Sequence, residues 1–441
     1  MKTITVVMTS ILLLFVADGP AMAQADLFGF VEYGTGGRVT GDRVESPTTT
    51  GQKLSDYTLR ELRLQLQSDL YGDLGEAHFK VDVLSDQVGI DETEVAVREG
   101  YVKFVTFDDN LEVRAGRQPT TWGTGDLLFI NDLFPKDYVS FFSGRDDEYL
   151  KSPSDVLRFG LFSVLPFTVD IVLTPQFTPD VLPNGSRLDF FNPSLAGMPV
   201  LPSEEVKNGE AAVRLNRYFG SWNWSLYGYE GFWKQPLAFA PETFDGATAN
   251  LVHPKLGAYG ASARGTLFGG VAWVEGGYYD SRDDEADVDA FVPNSEIRAM
   301  VGYERQWWSD FTGGMQFYWE GMQDYDDAVA ARTATIDQFA GGFGFDRDVL
   351  ERAFFLKDEN RTLITLRLRQ QFMLQTLTAG LFTFYSPSDE DMYVRASLTY
   401  DYSDQLKLTL GANVFTAEDT RTLFGMNDEN DNVYGRIRFT F

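Results

Sequence analysis

The last ten residues of the chain, 432–441, alternate apolar and polar side chains along one predicted strand. One face carries only apolar residues: Val433, Gly435, Ile437, Phe439 and Phe441. The other face carries Tyr434, Arg436, Arg438 and Thr440. Successive side chains of a strand point to opposite sides, so the arginines meet one medium and the phenylalanines another. Such a strand is favoured where water covers one face and an apolar medium covers the other.

The same period of two recurs along the chain. Leucines alternate with polar residues in 62–67, and the pattern returns in 77–83, 363–371, 394–400 and 406–410. No segment after the N-terminal region approaches the ~18 consecutive apolar residues of a transmembrane helix, which excludes an all-helical membrane protein. The absence of cysteine excludes a disulfide framework, a thiolate metal site and a cysteine nucleophile. These features predict an all-β fold.

The connections between predicted strands alternate in length. Short ones fall near Tyr71, Asp108, Leu165, Gly220, Phe268, Ser309, Phe372 and Ser403. Long ones occupy 34–53, 118–154, 177–208, 234–254, 280–293 and 323–358, with shorter links near Gly89, Pro387 and Glu418. This alternation predicts a transmembrane antiparallel β-barrel of about 18 strands, within a range of roughly 16 to 20, with periplasmic termini and long extracellular loops. A soluble array of β-sandwiches or a propeller is the alternative, but no repeat of 40–50 residues supports a propeller.

The N-terminal region has the features of an export signal. Lys2 supplies a positive charge, residues 4–16 are mainly apolar, and Ala21-Met22-Ala23 is a small-x-small cleavage site. We expect residues 1–23 to be removed and 24–441 to form one barrel. A membrane anchor is the weaker interpretation, since the apolar run is short for a bilayer. The predicted location is the outer membrane of a Gram-negative bacterium, with lipid and lipopolysaccharide as partners.

Basic side chains dominate the predicted inner face of the barrel. The inward cations are Arg63, Lys80, Lys103, Arg114, Arg158, Arg214, Arg298, Arg367, Arg369, Arg395, Lys407, Arg436 and Arg438. The inward acids are Asp82, Glu99, Glu112, Asp170, Glu296, Glu304 and Glu320. Arginines in a confined lumen lower the energy of passing anions, which predicts an anion-preferring pore. The alternative is that they pair with the lumen acids and only stabilise the wall.

The net charge of −28 resides mainly in the connections and argues against a nucleic-acid partner. The acidic run 280–289 either binds divalent cations next to lipopolysaccharide or is a solvated loop extended by charge repulsion. It lacks the spacing of an EF-hand, which favours the solvated loop. Neither a metal site nor a cofactor is predicted.

Residues 114–137 form the most distinctive stretch. They read Arg-x-Gly-Arg-Gln, then Trp-Gly, then Asn-Asp-x-x-Pro-x-Asp, and they leave the period of two abruptly. The segment 118–154 either folds into the barrel and narrows it or packs as an outer loop on the rim. Of these, the inward-folded form is the more strongly favoured.

This succession resembles a family of outer-membrane porin-like barrels that are similar to the alginate-export barrels. The terminal strand ending at Phe441 is also similar to the signal read by the barrel-insertion machinery. The resemblance implies an 18-strand barrel that passes a hydrophilic or anionic solute. It further implies that the constriction is shaped by Arg114, Arg117, Trp122, Asp126, Asp132 and Asp137.

Catalytic chemistry is poorly supported by the sequence. Its two histidines are His78, on a strand, and His253, before Pro254 in an outer loop. A hydrolase would need one of them near a serine such as Ser262, and a solvated loop position is the simpler interpretation of His253. A gated transporter would need an N-terminal plug domain, for which the first strand near Asp26 leaves no room.

The function predicted from the sequence is passive diffusion of small hydrophilic, preferably anionic, solutes through a monomeric or trimeric porin. An adhesive barrel is a further possibility. The main alternative is a channel for apolar compounds such as fatty acids or hydrocarbons, suggested by residues 127–134, Phe141-Phe142 and Phe190-Phe191. The substrate, the oligomeric state and the position of the long loops do not follow from the sequence.

Overall fold

The computed structural model describes most of the chain from Ala25 to Phe441. The described residues are 25–39, 55–72, 75–88, 92–183, 187–188, 200–201, 206, 208–236, 238–239, 249–283, 292–344, 346–347, 350–351, 356–419 and 422–441. The signal segment, most of the acidic run 280–289 and Phe190-Phe191 therefore lie outside them. No helix in the described ranges is long and apolar enough to cross a membrane.

Within the described residues, eighteen strands form one sheet. They are β1 Ala25–Arg38, β2 Tyr57–Gly72, β3 Gly75–Asp86, β4 Glu92–Thr106, β5 Leu111–Pro119, β6 Pro153–Leu161, β7 Thr168–Thr174, β8 Glu210–Phe219, β9 Trp222–Phe232, β10 Lys255–Leu267, β11 Gly270–Ser281, β12 Glu296–Trp308, β13 Phe311–Met322, β14 Asn360–Phe372, β15 Leu377–Ser386, β16 Asp391–Asp401, β17 Leu406–Ala417 and β18 Asn432–Thr440.

The sheet closes on itself. Each strand pairs antiparallel with its neighbours in sequence, and β1 pairs with both β2 and β18. At this seam Glu32 of β1 lies opposite Arg63 of β2 and Arg438 of β18. Closure satisfies the backbone donors and acceptors that an open sheet edge would leave unpaired. The predicted closed antiparallel barrel of 18 strands is confirmed.

The two faces of the wall have inverted polarity relative to a soluble protein. On β18, Val433, Ile437 and Phe439 are exposed, whereas Tyr434 and Arg436 are buried. The other strands also carry exposed apolar side chains outside, and their inner faces combine polar or charged residues with buried aromatic ones such as Tyr393 and Phe415. An apolar outer surface is stable only against lipid, and a polar inner surface favours water.

The connections also follow the predicted alternation. Between the described barrel strands, eight short turns alternate with nine longer links, and the longest links join β1 to β2, β5 to β6, β7 to β8, β9 to β10 and β13 to β14. The link from β17 to β18, predicted near Glu418 to be among the shorter ones, is as long as that from β11 to β12. Exposed aromatic residues lie near both ends of the barrel. At the short-turn end they are Tyr71, Phe219, Trp308, Phe372, Tyr402 and Phe441. At the other end they are Tyr57, Tyr259, Tyr278 and Tyr385.

One boundary differs from the prediction. Residues 34–37 belong to β1, not to the following connection, and the strand has a register irregularity at Gly36/Gly37. A Cβ on Gly36 would lie 2.6 Å from the Cβ of Tyr434 on β18, which is too close for any other residue. These glycines therefore permit close pairing at the barrel seam.

The connections contain the short helices. In chain order they are α1 Tyr138–Phe142, a single 3-10 turn Asp147–Leu150, α2 Tyr325–Gln338 continued by a π turn Phe339–Phe343, and a 3-10 turn Gly425–Asn427. Three further short strands, Val200–Leu201, Ala238–Phe239 and Ala249–Val252, pair with one another outside the barrel sheet.

Candidate functional site

The link between β5 and β6, residues 120–152, contacts inward-facing side chains on distant strands. We call it the β5–β6 segment. The backbone N–H and the hydroxyl of Thr124 donate to a carboxylate oxygen of Glu275 on β11, at 2.6 and 2.8 Å. The backbone N–H of Asp126 donates to Gln316 Oε1 on β13 at 2.7 Å, and Gln316 Nε2 returns a hydrogen bond to Asp126 O at 2.8 Å. These contacts hold the first part of the segment on the wall opposite its origin.

The apolar residues of the segment pack on the inner wall. Phe141 and Phe142 of α1 are buried, and their rings contact Tyr393 of β16 with centroid distances of 5.7 and 5.4 Å. Trp122 and Phe134 meet edge to face at 5.0 Å. Burial of these aromatic rings in the polar interior of the barrel stabilises the segment by the hydrophobic effect. Little of this apolar surface remains for an apolar solute.

Local hydrogen bonds explain how the segment folds. Asp137 caps α1, because its carboxylate accepts from the backbone N–H of Ser140 at 2.9 Å. Asp132 accepts from the hydroxyl of Thr121 at 2.6 Å and pairs with Lys136 Nζ at 3.0 Å. Asp132 and Asp137 therefore shape the segment itself and do not contact the wall through these bonds.

The second part of the segment is held at the barrel seam by buried ion pairs. Arg145 Nη2 lies 2.6 Å from Glu61 on β2, and Arg436 Nη1 on β18 lies 2.6 Å from Glu32 and 3.1 Å from Glu61. The Glu61 side chain is 0% exposed. Burial acts to lower the pKa of Arg145, but the Glu61 carboxylate outweighs it and raises this pKa, so Arg145 stays charged. We call Glu32, Glu61, Arg145 and Arg436 the buried anchor.

A second group of charges is partly open to solvent. Arg367 Nη1 on β14 lies 2.6 Å from both carboxylate oxygens of Asp126, and Arg367 Nη2 lies 3.1 Å from Asp147 Oδ2. Arg395 Nη2 on β16 lies 2.8 Å from Asp147 Oδ1. The side chains of Arg367 and Asp147 are 39% and 42% exposed. Asp126, Asp147, Arg367 and Arg395 form the half-exposed cluster.

The ionisation of Asp147 follows from its neighbours. Its partial burial raises the pKa, but Arg395 and Arg367 together lower it below the usual value for an aspartate. Asp147 therefore remains a carboxylate at neutral pH. Through Arg367, the cluster also ties the early part of the β5–β6 segment, at Asp126, to its late part, at Asp147.

The other predicted inner-face arginines are also mostly paired. Arg63 lies 2.5 Å from Asp82, Arg114 lies 2.8 Å from Glu112, and Arg438 lies 2.6 Å from Asp146 and 2.7 Å from Glu32. These pairs match the alternative interpretation of the sequence, in which the inner-face arginines pair with lumen acids and only stabilise the wall. Arg369 differs, because it is exposed and makes no ion pair within the described part of the chain.

Two residues of the distinctive motif lie apart from the half-exposed cluster. Arg117 is three positions after Arg114 and so lies on the opposite face of β5, where its Nε donates to Val97 O at 2.8 Å and its Nη1 lies 3.6 Å from Asp155. Trp122 donates from Nε1 to Asp170 Oδ2 on β7 at 3.2 Å. Of the motif residues predicted to act together, only Asp126 joins the cluster.

Several charged residues near the segment were not identified from the sequence. Arg98 is the unpaired residue of a bulge in the β3–β4 register, stacks on the Tyr149 ring at 4.4 Å and donates to Lys151 O at 3.1 Å. A bulge reverses the face assigned by simple alternation, so period two could not place Arg98. Arg145 and Asp147 lie in a link without periodicity. Their only signal is the charged run Arg145-Asp146-Asp147-Glu148.

The two side chains considered for catalysis, those of His253 and Ser262, make other contacts. His253 is buried, in contrast to the expected solvated position, with Nδ1 2.9 Å from Trp233 O and its ring 4.8 Å from that of Phe177. The Ser262 hydroxyl lies 2.9 Å from the Tyr227 hydroxyl. Among the described residues, no group of three or more histidine, aspartate or glutamate side chains is placed to hold a metal ion.

Comparisons with known proteins identify the fold. No family model and no curated protein sequence matches the chain. OccK2 (OpdF) of Pseudomonas aeruginosa superposes with a TM-score of 0.54 at 10% identity, over 95% of this chain and 98% of that one. The structure of OccK2 in complex with glucuronate superposes with a TM-score of 0.52 at 9% identity, again over 95% of this chain and 98% of that one. OccAB2 of Acinetobacter baumannii gives 0.52 at 9% identity, also over 95% and 98%.

These structural neighbours are outer-membrane channels, and nothing in the comparisons links the chain to alginate-export barrels specifically. At such low identity the likeness concerns the fold. The chain thus shares with outer-membrane channels a closed antiparallel barrel of 18 strands.

Proposed function

We propose that the protein is an outer-membrane channel that passes small hydrophilic solutes by passive diffusion and prefers anions. The observation that carries the proposal is that Arg367 and Asp147 of the half-exposed cluster, together with the neighbouring Arg369, remain open to solvent inside the barrel. Ionised groups that a solute can reach select solutes by charge, whereas buried pairs do not. Transport of this kind requires no reaction and no cofactor.

The preference for anions depends on basic side chains that carboxylates leave incompletely neutralised. Arg369 lies two positions from Arg367 on the same face of β14 and is exposed. Arg264 on β10 is also exposed, and the described hydrogen bond of its guanidinium is to Thr124 O at 3.1 Å. A solute crossing the barrel between these groups meets a local positive potential although the whole chain is acidic. The structurally similar OccK2 has been solved in complex with glucuronate, which is an anion.

In this proposal the β5–β6 segment is the constriction. Its contacts with β11, β13, β14, β16 and β18 carry it across the interior. Its acids Asp126 and Asp147 both pair with Arg367. The same proposal puts the termini and short turns in the periplasm and the long links outside, next to lipopolysaccharide. The strand ending at Phe441 then presents its apolar face to the insertion machinery, and assembly as a homotrimer is compatible with the exposed outer wall.

Liposome swelling tests this function. Vesicles that contain the purified protein are expected to take up sodium glucuronate at least as fast as the neutral sugar glucose, because positive potential at the constriction offsets the larger hydrated size of the anion. The variant Arg305→Gln removes an arginine from the outer face of β12, away from the lumen, and is expected to give the same swelling rates as the native protein. Swelling equal to that of empty vesicles would refute the channel function, and exclusion of glucuronate with passage of glucose would refute the anion preference.

A further inference from the structure

Asp147 differs from the other acids of the β5–β6 segment in its ion-pair partners. Its two carboxylate oxygens contact guanidinium groups from two different strands, Arg395 at 2.8 Å and Arg367 at 3.1 Å. Arg367 has a second acid partner, Asp126. Within the described residues, Arg395 has Asp147 as its only ion-pair partner.

The neighbouring acids are redundant by comparison. Removal of the Asp126 charge leaves Arg367 paired with Asp147. Removal of the Asp146 charge leaves Arg438 paired with Glu32, 2.7 Å away. Among these three acids, only the loss of Asp147 leaves an arginine of the described inner wall without a carboxylate.

Asp147 is also accessible to a passing solute. Its side chain is 42% exposed, whereas that of Arg395 beneath it is 12% exposed. The 3-10 turn that begins at Asp147 has no side-chain hydrogen bond from its capping residue Asp146. The carboxylate is therefore positioned mainly by its two arginines, and it covers one of them from the lumen.

We propose that Asp147 is a specificity-determining residue, a built-in counter-ion that sets how strongly the channel prefers anions. The inference rests on the proposed channel function and deepens it. An anionic solute competes with Asp147 for Arg367 and Arg395, so the native preference for anions is weaker than the arginines alone would produce. Neutralising Asp147 leaves the positive charge of Arg395 without a carboxylate partner and strengthens that preference.

The test is the reversal potential of single channels in a KCl gradient across a planar bilayer. Asp147→Asn is expected to raise the ratio of chloride to potassium permeability roughly fivefold, the effect of one unit charge acting at about 4 Å through water. Asp126→Asn and Asp146→Asn remove the same charge from neighbouring positions and are expected to give clearly smaller shifts. The double variant Asp147→Asn with Arg395→Gln is expected to return to the native ratio.

Each outcome separates this inference from the function on which it rests. A native protein that forms no conducting channel refutes the proposed function. A conducting native protein with an unchanged ratio in Asp147→Asn, or with equal shifts in all three single variants, refutes only the role of Asp147. A several-fold rise in conductance with loss of all selectivity also refutes it, because Asp147 would then be an anchor of the segment.

Discussion

The buried anchor and the half-exposed cluster use the same chemistry in different surroundings. Both join guanidinium groups of the wall or the segment to carboxylates, at distances down to 2.6 Å. In the buried anchor the side chains of Glu61 and Arg145 are 0% and 7% exposed, whereas Arg367 and Asp147 in the cluster remain open to solvent. The comparison teaches that burial, and not the presence of an ion pair, separates charges that hold the segment from charges that a solute can reach.

The largest expected difference between the two regions is in stability. Arg145→Gln leaves the fully buried Glu61 with one cationic partner fewer, so we expect it to lower the free energy of unfolding by about 3 kcal/mol. Arg367→Gln removes an exposed partner and is expected to cost about 1 kcal/mol or less. Guanidinium unfolding of both variants in lipid vesicles measures this difference. Equal losses would show that burial does not distinguish the two regions.

A smaller effect is expected on ion selectivity. Here the half-exposed cluster matters more than the buried anchor. Exchanging Arg367 and Arg369 for glutamate reverses two accessible charges, so we expect the chloride to potassium permeability ratio to fall by at least about tenfold. The conservative control, Arg367→Lys with Arg369→Lys, keeps both charges and should retain the native reversal potential. If the glutamate variant also retains it, these arginines do not select solutes.

The smallest effect concerns a contact between the β5–β6 segment and the link that follows β7. Asp180 Oδ1 accepts from the backbone N–H of Lys136 at 2.8 Å. Burial raises the pKa of Asp180 to about 6, in spite of opposing effects from Lys136 and Lys234. An aspartate in the unfolded chain has a pKa of about 4, so the contribution of the protonated Asp180 to folding stability is full below that value and is lost as the pH rises through about 6.

Asp180→Asn keeps an oxygen that can accept the hydrogen bond and removes the titration. We therefore expect the variant to gain about 1 kcal/mol over the native protein at pH 8 and little at pH 4, since water screens the partly exposed native carboxylate. The free energies of unfolding of the two proteins at both pH values measure this. A gain that does not depend on pH would contradict the raised pKa.

The wall of the barrel was predictable because a strand with water on one side and lipid on the other must alternate polar and apolar side chains. The leucines of 62–66 and the arginines of β18 could each be assigned to a face by counting residues. Counting failed where the backbone departs from the ladder. Residues 34–37 were predicted to lie in a connection, but their glycines permit close strand pairing within β1. The bulge at Arg98 turns that side chain to the inner face.

The candidate site was only partly predictable, for a physical reason. The sequence singled out the segment 118–154 and the arginines 367 and 395, but the partners of these arginines depend on how a non-periodic link crosses the barrel. Asp147 is 220 positions from Arg367 along the chain. No local pattern reports such a contact, whereas the face of a strand residue follows from its immediate neighbours.

The most direct test of the account is the reversal potential of the native protein in a planar bilayer that separates KCl solutions of unequal concentration. The account predicts discrete channels whose reversal potential has the sign of a chloride permeability greater than the potassium permeability. The account would be contradicted by a protein that inserts but carries no current. It would also be contradicted by a reversal potential with the sign of a potassium permeability greater than the chloride permeability.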